Sequence, residues 1–210
     1  ALRSLASITK KQDGRVKARM CGDGSSQRRR PGYKKEDSAS PTVSLEGVLL
    51  TAAIEAHEKR HVACFDIPGA FLHAKCEDGD VYMMLEGKLA ELMTLVEPKL
   101  YRQHVRYDKE NGKAMLYVKM SKALYGMLKS ALWFYKKLKV DLEAYGFTIN
   151  PYDPCVANAM IRGKQMTVTW HVDDLKVSHE DPVEITKFAN YLAMIYGKAA
   201  KGCNHCAIIS

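Results

Sequence analysis

Residues 167–178 read TVTWHVDDLKVS and set two adjacent aspartates, Asp173 and Asp174, between apolar and aromatic flanks. Val168, Trp170, Val172, Leu175 and Val177 carry the alternation of two strands joined by a short turn. Two carboxylates beside a core repel and raise each other's pKa unless a cation neutralises them. A divalent metal does so, and hard Mg²⁺ favours carboxylate oxygen. A third acid, Asp66 in CFDIPGAFLH (residues 64–73), ends another strand-like run and would join the pair only through the fold. Three carboxylates on neighbouring strands can hold two Mg²⁺ (or Mn²⁺) ions roughly 3.5–4 Å apart for in-line phosphoryl transfer. One ion would lower the pKa of an attacking hydroxyl, and the other would stabilise a leaving pyrophosphate. Each acid also has a plainer reading. Most Asp-Asp pairs are solvated turns, and Asp66 precedes Pro68 and Gly69, which suit a strand-terminal turn.

Hydrophobic periodicity supplies the elements that must position these acids. Residues 61–66, HVACFD, read as a buried strand ending at the carboxylate, and residues 155–161 and 165–171 as strands about an Arg162-Gly163-Lys164 turn. Ser44 can cap a helix running to about residue 58, with Leu45, Val48, Leu49 and Ala52 on one apolar face. Ala131, Phe134, Leu138, Leu142 and Tyr145 space out a second helix, which Gly146 stops. Asp181, Pro182 and Glu184 open a third, which buries Ile185, Phe188, Leu192 and Ile195 and meets Gly197. Residues 14–21, 80–85 and 114–120 add strands, residues 86–113 a short helix and loop, and residues 22–41 a basic loop. Strands and helices mix without a βαβα rhythm. The expectation is an α+β domain, an antiparallel sheet with helices packed on one face.

The 210 residues suffice for a domain with a real core, and 47 % apolar against 27 % charged content fits a globular chain. The net charge of +8 favours a polyanionic partner, and the excess is concentrated in residues 10–35 and 119–139. No run reaches the ~18 apolar residues of a membrane span, and the N-terminus has no secretory apolar region. Cys21, Cys64, Cys76 and Cys155 are scattered, as reduced thiols of an intracellular protein are. Cys203-Asn204-His205-Cys206 has no second ligand pair and reads as a tail rather than a zinc clip. A chain that starts without Met and stops abruptly reads as a fragment.

Six segments, in order, carry a resemblance. KARMCGDGSSQ (17–27) is close to KARLVAKGxxQ, and residues 38–73, SASPTVSLEGVLLTAAIEAHEKRHVACFDIPGAFLH, to FSPVVRxxSIRxLLALAAxxxWxLxQxDVKxAFLHG. DGDVYMMLEG (78–87) is close to EEEVYMxQPxG, and YVKMSKALYGMLKSALWFYKKL (117–138) to CxLxKSLYGLKQAPRxWYxxL. GFTINPYDPCVA (146–157) is close to GFxxSxxDxxLF, and HVDDLKVS (171–178) to YVDDILI. From about Val16 to Gly197 the chain thus resembles the reverse transcriptase of copia-type LTR retrotransposons.

That resemblance implies the fingers and palm domain of a right-hand polymerase over residues 14–197, with residues 1–13 an N-terminal extension and 198–210 a tail lacking a thumb. It implies an RNA-directed DNA polymerase, a nucleotidyltransferase that adds dNTPs to a primer on an RNA or DNA template. Other parts of a pol polyprotein would be its partners, in a cytoplasmic particle or the nucleus, with no membrane. Asp66 and Asp173 would be the principal ligands of two Mg²⁺ ions, with Asp174 near and the Ile67 carbonyl completing a shell. Gly69 and Ala70 would bring backbone N–H groups to the triphosphate, and Phe71 would crowd a ribose 2′-OH. Lys17 and Arg19, on one face of their strand, would clamp the triphosphate, and Tyr125 and Gly126 would line the nucleotide pocket. His171 and Val172 would lie at the primer end.

The chain departs from the pattern at His171, where the family has Tyr, and at Leu128 and Ala131, where it has Lys and Pro. These departures, with the missing thumb, keep a second reading open: a catalytically decayed, nucleic-acid-binding remnant. A third, a metal-dependent nuclease, uses the same acids.

Overall fold

A computed structural model describes residues 1–29, 34, 36 and 38–197. The elements are β1 (Leu2–Lys10), β2 (Val16–Gly22), α1 (Ser25–Arg28), α2 (Leu45–His57), β3 (His61–Asp66), α3 (Ala70–His73), β4 (Tyr82–Glu86), α4 (Lys88–Val96) and α5 (Pro98–Tyr101). A 3-10 turn (Arg102–His104) leads to β5 (Arg106–Tyr107), β6 (Ala114–Lys119), α6 (Ser130–Tyr145), β7 (Thr148–Ile149), β8 (Val156–Ile161), β9 (Lys164–His171), β10 (Asp174–His179) and α7 (Pro182–Tyr196). They fall into two units: residues 1–38 with 74–133, and residues 39–73 with the chain from 134 on. Among the described residues no helix is long and apolar enough to cross a membrane.

The first unit is built on a sheet in the order β2-β1-β4-β6-β5. The stretch expected to be an N-terminal extension contains β1, which pairs antiparallel with β2 and parallel with β4. Its apolar residues Leu2, Leu5 and Ile8 recur every third position, so period-two alternation does not reveal the strand. Met83, Leu85, Ala114 and Leu116 of the central strands pack with Ala90 of α4 as the core. Gly126 (φ +87) lies so close to the Gly22 carbonyl that a Cβ there would collide with backbone, and the Gly22 N–H donates to the Tyr125 carbonyl at 2.8 Å. Only glycine fits that crossing.

The second unit holds a wholly antiparallel sheet in the order β3-β10-β9-β8-β7. Partners in register share a face, so Phe65, Leu175, Trp170, Val177 and Val168 project to one side. Helices α6 and α7 cover that side. Tyr135 stacks on Trp170 at 6.2 Å, and Phe188 meets Phe65 edge-on at 6.4 Å. Lys176 points the other way and donates to Thr51 Oγ1 (3.3 Å) and Glu55 Oε2 (3.0 Å) of α2. The expected single sheet with helices on one face is therefore corrected twice: the described residues form two sheets, and the second is covered on both faces.

Helix α2 also turns its apolar stripe outward. Thr51 and Glu55 are buried, whereas Leu45 and Leu49 are 69 % and 61 % exposed. The cause lies in the sheet face beneath, which offers Lys176, Thr167 and Thr169; polar groups on the strand call for polar groups on the helix. Buried Arg60, just past α2, follows the same logic, donating to Glu58 Oε2 (2.7 Å) and Thr167 Oγ1 (3.0 Å).

The start of α2 is tied to the loop that precedes β8. Ser44 caps Gly47 N through its hydroxyl (2.9 Å), and Asp153 Oδ2 accepts from the Ser44 N–H (2.9 Å) and hydroxyl (2.8 Å). Burial alone would raise the Asp153 carboxyl; the N–H groups of Ser44 and Cys155 and the Ser44 hydroxyl outweigh it and hold the group below its ordinary 3.8. A depressed folded-state pKa contributes stability that is complete above the unfolded value and is lost as pH falls through the folded one. Urea midpoints between pH 6 and pH 2 are expected to fall below about pH 4 in wild type. In Asp153→Asn the fall should be smaller, and equal slopes would exclude this contribution.

Candidate active site

The antiparallel register of β3 and β10 sets Asp66 directly opposite Asp174. The Ile67 N–H donates to the Asp173 carbonyl at 3.2 Å, which makes Asp66 and Asp174 a non-hydrogen-bonded pair. Such pairs are the close ones, with Cα atoms about 4.5 Å apart and side chains on one face. On the other side of Asp174, in register across β9, stands His171. His171, Asp174 and Asp66 thus form one row across three strands, all exposed, with Asp173 in the turn beside them.

That turn has only two residues between its strands, Val172 and Asp173, and Val172 takes φ 59°. A β-branched residue in left-handed backbone costs about 1–3 kcal/mol. Val172→Gly is expected to raise unfolding stability by about 1 kcal/mol in a urea titration, once glycine's entropy is subtracted. An unchanged or lower midpoint would show that the valine sits there without strain.

Two carboxylates directly opposed on adjacent strands destabilise each other. Their oxygens are hard donors, and a divalent cation between them offsets the repulsion, so the residues fit Mg²⁺ or Mn²⁺. Among the described residues no group of three or more His, Cys, Asp or Glu side chains is arranged to hold a metal ion. Asp66 and Asp174 face each other across the ladder, while Asp173 meets β3 one step on, at Ile67.

The residues after Asp66 turn sharply. Gly69 takes φ +65°, the Ala70 N–H donates to the Ile67 carbonyl (3.1 Å), and Phe71 is buried with its ring edge-on to Phe134 at 6.3 Å. Lys17 and Arg19 are exposed, on alternate positions of β2 opposite Thr9 and Ser7. Lys17, Arg19, Tyr125 and Gly126 belong to the first unit, and the aspartates to the second.

A family model described as reverse transcriptase (RNA-dependent DNA polymerase) matches residues 6–199. The chain belongs to the reverse transcriptase family. No curated protein matches it. The match takes in segments of both units, including the end of β1.

Within this reverse transcriptase chain, three lysines of the basic stretch 119–139 are engaged in ion pairs. Lys129 meets Asp78 (2.9 Å), Lys137 meets Asp141 (2.9 Å) and Lys139 meets Glu143 (3.8 Å). Sequence reading passed over Lys176. It stands two positions from Asp174 on the same face of β10 and ties that strand to α2. The signal was present: one lysine at an alternate position between apolar Leu175 and Val177. Cys203, His205 and Cys206 lie outside the described residues.

Proposed function

We propose that the chain is the RNA-directed DNA polymerase domain of a copia-type retrotransposon, extending a primer on an RNA or DNA template with dNTPs. The observation that carries this reading is the opposition of Asp66 and Asp174, with Asp173 in the adjoining turn, in a chain of the reverse transcriptase family. Asp66 and Asp173, with Asp174 and the Ile67 carbonyl nearby, would hold two Mg²⁺ ions. Such ions, when bound, lower the pKa of a primer hydroxyl and stabilise the leaving pyrophosphate. Lys17 and Arg19 would neutralise the triphosphate, which the turn at Gly69 and Ala70 would approach. Phe71 would bar a ribose 2′-OH, Tyr125 and Gly126 would line the nucleotide pocket, and His171 and Val172 would seat the primer end.

Primer extension on an RNA template with a DNA primer, dNTPs and Mg²⁺ or Mn²⁺ tests this, beside Asp173→Asn. Extension by the wild-type chain that disappears in the variant supports the polymerase. The second reading, a binding remnant, draws on His171 in place of the family's tyrosine. It requires equal template binding by wild type and variant and extension by neither.

A further inference from the structure

A cavity lies in the second unit, between α2 and strands β8 and β9. Its volume is about 530 Å³, within the usual range for small-molecule pockets. Leu50, Ile54 and Val156 give it apolar walls, and Asn158, Gln165 and Thr167 line it with polar groups.

Those polar groups have a fixed direction. Arg60 can only donate, so Thr167 Oγ1 accepts from its Nη1. The threonine hydroxyl then spends its own hydrogen on Asn158 Oδ1 at 2.8 Å. Gln165 Nε2 donates to the same Asn158 oxygen (3.0 Å) and to Thr167 Oγ1 (3.1 Å). The chain of bonds leaves Asn158 with its NH₂ and Gln165 with its carbonyl oxygen. Neither has a partner among the described residues. One donor and one acceptor are therefore left over on two neighbouring, hydrogen-bonded amides of the lining, whose hydrogen-bond directions follow from a buried arginine.

Charge narrows the class of ligand. The Arg60 guanidinium is neutralised by Glu58 at 2.6 Å, and Asp153 is satisfied by Ser44 and the Cys155 N–H. Glu46 is the other charged residue of the lining, and it is exposed. A phosphate would meet a carboxylate and no free cation. We infer that this cavity is a binding site for a neutral planar heterocycle with an adjacent acceptor and donor on one edge, the lactam or amidine edge of a nucleobase, taken as nucleoside rather than nucleotide. The apolar walls would cover the ring faces while the amide pair reads the edge. This site is separate from the aspartate row and does not depend on the polymerase reading.

The test is an NMR titration of the full chain, following the methyl groups of Ile54 and Val156, with adenosine, guanosine, cytidine and uridine in turn. At least one nucleoside is expected to give saturable shifts. Asn158→Leu and Gln165→Met should each weaken it by about tenfold or more, since each leaves a ligand polar group unpaired. Gln165 is half-buried at the strand's start, so its variant keeps the measurement open if Asn158→Leu misfolds. The matching 5′-triphosphate should bind more weakly than the nucleoside. Absence of saturation by all four nucleosides overturns the inference. So does affinity unchanged in a folded variant, or tighter binding of the triphosphate.

Discussion

Primer extension by an Asp66→Asn chain is expected to fall by about three orders of magnitude or more, with duplex binding within about twofold of wild type. Asparagine keeps the shape of aspartate and one carbonyl oxygen but removes the negative charge that a divalent cation needs. The stability consequence has the opposite sign. Relieving the like-charge opposition of Asp66 and Asp174 across β3 and β10 should leave the metal-free protein as stable as before or more so, by about 0.2–1 kcal/mol. A variant that is inactive, folded and no less stable has lost chemistry rather than structure. Extension that survives the substitution would remove Asp66 from the mechanism, and a lower unfolding midpoint would show that its carboxylate has a structural role.

Phe188→Ala is expected to be the most damaging single change in the second unit, at about 3–5 kcal/mol. Phe188 is fully buried, and its ring meets those of Phe65, Tyr145, Phe147 and Tyr191. Domains are stable by only about 5–15 kcal/mol, so such a loss should shift the urea midpoint far and leave a measurable unfolded population. Leu49→Ala is the informative contrast. Its side chain is apolar too, but it lies on the outer face of α2 and should change stability by no more than about 0.5 kcal/mol. Similar costs for the two would mean that the outer face of α2 is covered in solution.

The contrast marks where sequence reading works in this chain. The hairpin around Asp173, the strand ending at Asp66 and the caps at Ser44 and Asp181 were legible because each depends on neighbours in sequence: alternation, a side-chain oxygen, a following proline. The facing of α2 was not. Its buried side is chosen by Lys176, which reaches Glu55 from 121 positions away, and local periodicity carries no trace of that partner. Strand β1 stayed hidden for a similar reason, since pairing with β2 and β4 makes it a strand while its own pattern does not. For the acids, residue type and flanks indicated the chemistry. The register that sets Asp174 rather than Asp173 opposite Asp66 required the fold.

The strand order of the second sheet also bears on how the chain is made. Among the described residues β10 is the ladder partner of β3, yet β3 is complete more than a hundred residues before β10 begins. At ribosomal rates of about 5–20 residues per second, Asp66 waits roughly 5–20 s for Asp174 to be synthesised. During that interval residues 74–133, which belong to the other unit, can collapse on local contacts, while β3 remains an unpaired edge. The two facing acids therefore meet only after the whole intervening stretch has been made. Closing so long a loop is an entropic cost met only then, and until it is met the nascent β3, HVACFD, is open to mispairing.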